Sequence, residues 1–349
     1  MMRVWRFALC CLFAFCCLLL SACYHASAAD GDTDTDSRPD TAPDTGTAPD
    51  SAPDTAPDSG TAPDTGVAPD TDIDTEPVIP VENEWIFIEG GTFEMGHVCD
   101  PPPEVGTCWT EPVHTVTVPS FYMQKTEVTV HQYRQCVDAG ACTEPDTNGI
   151  GAGCDAATTG YAISWIQPRN ENHALNCVSW SQADAYCRWL GGRLPSESEW
   201  EYAARSGGKD VTYPWGEDEP SCDYAIVPMY NEVRGEWEWG CKRLYTSPQP
   251  VCSRPKGNNA LGMCDLSGNV EEFVQDAISR EESYPNFNYA NPKHPSDGTA
   301  YVSNDIYASL SRGGSYRSTE NPMLHLSVYF RSQASVENGS ASTGIRCAK

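Results

Sequence analysis

Between residues 29 and 81 the chain consists almost wholly of Asp, Thr, Pro, Ala and Gly, in a loose repeat seen as Thr47-Ala48-Pro49-Asp50 and again as Thr61-Ala62-Pro63-Asp64. A stretch with so few apolar side chains cannot bury enough surface to offset its chain entropy, and its carboxylates repel one another. It is predicted to be an extended, solvated tether, which confines any packed core to the residues that follow. One Arg stands there against more than a dozen Asp, so the tract supplies about half of the formal net charge of −27. The acidity is therefore a property of the tether and says little about ligands, although it argues against nucleic acid as a partner.

Ahead of the tether, Arg3 and Arg6 precede an apolar run over residues 7–20, closed by Leu20-Ser21-Ala22-Cys23. The run is too short to span a bilayer comfortably and ends on small residues, the pattern of a secretory signal. The closing tetrapeptide resembles a bacterial lipobox, which implies a signal peptide over 1–22 and a lipid on Cys23. Tyr24 stands where an inner-membrane retention signal would place aspartate. The expectation is an outer-membrane lipoprotein of the cell envelope, facing the periplasm or the outside, whose lipid is its sole membrane contact. The tether then covers 23–81 and a single domain 82–349, long enough for its own core.

That domain carries twelve cysteines: Cys99, Cys108, Cys136, Cys142, Cys154, Cys177, Cys187, Cys222, Cys241, Cys252, Cys264 and Cys347. An even number in an exported chain reads as a disulfide framework. Spacing favours Cys99 with Cys108, Cys136 with Cys142, and Cys252 with Cys264, while connectivity as a whole stays open. Helices are predicted over residues 181–190 after a Ser cap, from the Ser196-Glu197-Ser198-Glu199 capping box, and from Thr129 to near Gly140. Alternating apolar residues predict strands at 84–89 and 114–118. Trp180, Trp189, Trp200 and Trp215 are expected in the core.

Several blocks stand out along the domain: Glu89-Gly90-Gly91-Thr92-Phe93-Glu94-Met95-Gly96, Lys125-Thr126-Glu127-Val128-Thr129, Gly192-Arg193-Leu194-Pro195 with Glu199-Trp200-Glu201-Tyr202, and Tyr213-Pro214-Trp215-Gly216. Asp265-Leu266-Ser267-Gly268-Asn269-Val270-Glu271-Glu272-Phe273 and the segment from Arg312-Gly313-Gly314-Ser315-Tyr316 to Gly344-Ile345-Arg346-Cys347-Ala348 complete the series. Together they resemble the formylglycine-generating enzyme, or sulfatase-modifying factor, family. The resemblance implies an α+β domain, an elaborated C-type-lectin-like fold with little regular secondary structure. It also implies a Cys187–Cys347 bridge, and Ala204 and Val328 occupy the positions of a second family bridge.

In catalytic members two cysteines bind copper and activate oxygen. The resemblance puts Ser318 and Met323 at those positions and retains Ser315 in the Gly-Gly-Ser turn. A hydroxyl and a neutral thioether do not supply the paired thiolates that copper(I) prefers, so copper is not expected. Calcium is expected. Matching family positions would coordinate it through Asp265 and Glu272 side chains and the carbonyls of Gly268 and Val270, six to eight oxygens being the ion's preference. The competing reading has both carboxylates solvated or capping the turn. A second family calcium site looks degraded, since Ile226 stands where an Asn is expected.

His97, His114, His131, His173, His294 and His325 are scattered without metal spacing. On the 315–343 face, Arg317, Thr319, Glu320, Asn321, His325, Tyr329, Glu337, Asn338 and Ser340 suit a peptide, protein or glycan ligand, and would equally describe a solvated loop. The reading is a binding or accessory protein without catalytic residues. The alternative is an active oxidoreductase of the same family.

Overall fold

The computed structural model describes residues 82–98, 110, 113–145, 147, 154–155, 162–231, 236–238, 241, 247–280, 295–318 and 322–349. These belong to one compact unit, Asp72–Lys349. The expected signal peptide, Cys23 and tether lie outside the described residues, as do Cys99 and Cys108. None of the described helices is long and apolar enough to cross a membrane.

Two short antiparallel pairs open the domain: β1 (Trp85–Ile88) with β4 (Phe121–Gln124), and β2 (Gly91–Met95) with β3 (His114–Val118). Alternation decides which faces are buried. Phe93 and Met95 of β2 and Val116 and Val118 of β3 turn inward, while the residues between them face solvent. Three helices follow: α1 (Val130–Asp138), α2 (Trp180–Trp189) and α3 (Glu197–Ala204). Each begins with a capping box in which a Ser or Thr side chain accepts from the N3 amide and the N3 side chain returns to the cap: Thr129 with Gln132, Ser179 with Gln182, Ser196 with Glu199. The start of α2 thus falls before the predicted 181, because Gln182 completes a box with Ser179. Gly191, at φ +82°, follows its C-cap as expected.

β5 (Met229–Asn231) and β6 (Glu236–Glu238) form a small hairpin. The central sheet comes last in the chain: β7 (Glu271–Ile278), β8 (Ala308–Arg312), β9 (Arg331–Ser335) and β10 (Thr343–Gly344), in the order β10-β7-β8-β9, with α4 (Pro322–His325) between β8 and β9. Only β10 runs parallel to its neighbour. β8 is buried along its whole length, so this sheet forms the floor against which the helices rest.

One core cluster gathers Trp200, Met95, Met123, Leu266, Val274 and Leu310. A second gathers Tyr133, Tyr186, Leu175, Phe273 and Ile345. Of the four tryptophans expected inside, Trp200 is fully buried and Trp180 and Trp215 half-buried. Trp189 is a correction: at 39% exposure it sits at the last position of α2, beyond the buried Tyr133–Tyr186 stack.

Candidate functional site

β8 delivers the chain into Gly313-Gly314-Ser315-Tyr316, and both glycines are required there. Gly313 has φ +93° and Gly314 φ +62°. A Cβ on Gly314 would come within 2.6 Å of the His325 carbonyl, and one on Gly313 within 3.0 Å of the Leu266 carbonyl. The turn buries Tyr316 completely and folds Ser318 back on Ser315. The Ser315 amide donates to Ser318 Oγ at 2.9 Å, and the two hydroxyl oxygens lie 3.4 Å apart. Met323 stands on α4 with 43% of its surface exposed, its carbonyl accepting from Tyr213 Oη at 3.1 Å.

The expected ligand face is less uniform than its sequence suggested. Tyr329 is a correction, since it is buried, with its ring stacked on His97 at 4.3 Å. His325 stacks on Phe330 at 4.2 Å. Thr319, Glu320 and Asn321 fall outside the described residues. Glu337 and Asn338 belong to a turn whose amides donate to Ser335 Oγ, and the Ser340 carbonyl accepts the Cys177 amide at 3.0 Å.

Beneath the turn lies a group of buried charges. Glu272 accepts from Arg346 through both oxygens, the shortest contact being 2.6 Å, and from Trp200 Nε1 at 2.6 Å. Asp265, at φ +54°, accepts the Cys252 amide. Glu127 accepts Asn269 Nδ2 at 2.7 Å and the Val270 amide at 3.1 Å. Burial pushes the Asp265 carboxyl up to about 6, with Glu272 adding to the rise and Arg346 opposing it. Glu127 is raised well above the carboxylate range, chiefly by burial and then by the charges of Asp265 and Glu272.

The structure therefore gathers Asp265, Gly268, Val270 and Glu272 in one turn and the strand after it, and adds two partners, Glu127 and Arg346, that sequence reasoning did not place there. Both sat in the quoted motif blocks, yet nothing local pairs them: the Asn269–Glu127 bond spans 142 residues. Among the described residues no three His, Cys, Asp or Glu side chains are arranged to hold a metal ion. A calcium ion here would depend on the two carboxylates together with the Gly268 and Val270 carbonyls. The excess of three buried carboxylates over one guanidinium fits a cation, whereas the Arg346 and Trp200 bonds to Glu272 compete with it.

In a second buried group, Arg312 and Arg331 bind Glu197, while Arg312 and Arg205 bind Glu201. Arg312 also lies 5.2 Å over the Trp200 ring. The described histidines do not converge. His131 lies 3.5 Å from Glu171, and burial lowers His173.

Residues 70–349 match the family model described as the sulfatase-modifying factor enzyme 1-like domain. The chain belongs to that family. It is 31% identical over 296 residues to the formylglycine-generating enzyme of Streptomyces coelicolor, covering 75% of this chain and 87% of that one. The formylglycine-generating enzyme of Mus musculus is 27% identical over 299 residues, covering 75% and 73%. Among solved structures, PvdO from Pseudomonas aeruginosa shares the fold with a TM-score of 0.53 at 24% identity, covering 76% of this chain and 94% of that one.

This sulfatase-modifying factor domain holds five disulfides among its described residues. Cys187–Cys347 is one, joining α2 to the chain's last residues. Cys136–Cys142 and Cys252–Cys264 are the two described bridges that spacing favoured. Cys154–Cys177 and Cys222–Cys241 complete the set, so every described cysteine is bonded. Ala204 and Val328, at the second family-bridge positions, are both fully buried in one core cluster.

Proposed function

We propose that this sulfatase-modifying factor domain is a binding or accessory module of the cell envelope, held by a lipid on Cys23, rather than a formylglycine-generating oxidase. One observation supports it above the others: all the described cysteines are locked in disulfides, and the positions that resemble the copper pair hold Ser318 and Met323. The donor set does not fit copper(I). A hydroxyl engaged with its neighbour Ser315 and a single exposed thioether cannot hold that ion against soft thiolate competitors. The ligand, a peptide, protein or glycan, would be taken by the exposed parts of the 315–343 face. Calcium at the 265–272 turn is part of the same proposal, as a structural ion.

The competing reading, an active oxidoreductase, draws on the family's named enzymes at about 30% identity. The test is to incubate the purified protein with copper, a thiol reductant and a Cys-x-Pro-x-Arg peptide and to look for aldehyde by mass spectrometry. No turnover above a metal-only control is expected. Clear turnover would overturn the binding reading.

A further inference from the structure

Among the described bridges, Cys222–Cys241 is the one in which neither cysteine is buried; each of the others buries at least one partner. Thiol–disulfide exchange needs an attacking thiolate to reach a sulfur, and with both of its cysteines half-buried this bridge can be attacked at either sulfur, which ranks it first for reduction. Its position gives that ranking a consequence. The Cys241 amide donates to the Val227 carbonyl at 2.7 Å, and Cys222 and Cys241 pack against the small cluster of Tyr213, Ala225, Val227 and Leu326. The bridge thereby fixes residues 225–227.

Those residues are the seat of the 265–270 turn. The Ile226 carbonyl accepts the Asn269 amide at 2.8 Å. Gly268 lies so close that a Cβ there would meet the Ile226 carbonyl at 2.7 Å and Ala225 and Val227 side chains at 3.1 Å. Two further backbone bonds carry the contact onward: the Gly268 amide donates to the Gly313 carbonyl at 2.9 Å, and the Tyr316 amide to the Asn269 carbonyl at 3.0 Å. Ser267 Oγ, in the same turn, donates to the Leu326 carbonyl at 2.7 Å. A continuous run of bonded backbone thus leads from the half-buried bridge to the Gly-Gly-Ser-Tyr turn.

We propose that Cys222–Cys241 is a reducible clasp that controls the order of the 313–318 turn through residues 225–227 and the Gly268–Asn269 peptide. Reduction consumes a dithiol, which closes to its own disulfide as the bridge takes up two electrons and two protons and opens to two thiols. With the clasp open, the 225–227 segment is held to 241 only by the Cys241 amide–Val227 carbonyl bond, and the amides of Asn269, Gly268 and Tyr316 open more often. The regulatory meaning rests on the reading of 315–343 as the ligand face. The structural coupling is tested without any ligand, so the two can fail separately.

The full chain is treated with limiting dithiothreitol and free thiols are alkylated. Peptide mapping then identifies the first bridge opened, and amide hydrogen exchange follows peptides covering 267–270, 312–318 and, as a reference, 91–95 of β2. Cys222 and Cys241 are expected to be labelled first, with exchange over 267–270 and 312–318 about tenfold faster or more and β2 unchanged. The Cys222→Ser/Cys241→Ser variant should reproduce that pattern, and Cys136→Ser/Cys142→Ser should not. Prior opening of another bridge, unchanged exchange at 312–318, or an equal rise in β2 would each overturn the proposal.

Discussion

Asp265→Asn separates the electrostatics of the buried turn from any ion it holds. Burial raises the Asp265 carboxyl from its ordinary value of 3.8 to about 6. A carboxyl whose folded value is raised favours the fold when protonated. That contribution is present below the unfolded value near 3.8 and is lost as pH rises through about 6. A shift of roughly two units corresponds to about 3 kcal/mol, as an upper figure. Asparagine keeps an oxygen for the Cys252 amide and removes the charge. In chelator at pH 8 the variant should therefore be more stable than the parent by up to about 3 kcal/mol, and near pH 3 the gain should vanish. Urea unfolding under non-reducing conditions, run at both pH values with and without millimolar calcium, reads it directly. If calcium binds here, it should stabilise the parent and erase the variant's advantage, because a folded-state ligand acts through the charge that Asn lacks. A variant destabilised equally at both pH values in chelator would refute the electrostatic argument, and an advantage unchanged by calcium would remove the ion from this turn.

Arg346→Met should cost about 3–5 kcal/mol at neutral pH, since it strands Glu272, Asp265 and Glu127 without their guanidinium. The loss should shrink in acid as the carboxylates protonate, which the same unfolding assay follows. Replacing Cys187 and Cys347 by Ser opens a closure of 160 residues, expected to cost up to about 5 kcal/mol in the chain-entropy account. A melting temperature within error of the parent would contradict it. Cys23→Ser should shift the protein from the membrane fraction to the soluble one or block its processing, and unchanged partition on fractionation would defeat the lipid-anchor proposal.

The elements legible beforehand share a feature: their signals are local. Thr129, Ser179 and Ser196 each cap a helix with a side chain three residues on, and the alternation in β3 needs no distant partner. Cys136–Cys142 and Cys252–Cys264 close short loops and were open to reading from spacing. Cys187–Cys347 was accessible only through family resemblance, because nothing within the intervening 160 residues points one cysteine at the other.

Tertiary structure alone decided what the charged and aromatic residues do. Tyr329 reads as a surface aromatic, yet it is buried against His97, and Trp189 reads as core yet faces solvent, because burial depends on which neighbours the fold brings to each side chain. Glu272 reads as a calcium ligand; the fold gives it Arg346 and Trp200, from 74 and 72 residues away. Local sequence fixed the caps, strands and short bridges by chemistry acting over a few residues. The balance of three carboxylates against one guanidinium arises only when the 265–270 turn, β7, the Glu127 segment and the Arg346 segment after β10 meet in a core where water no longer screens them.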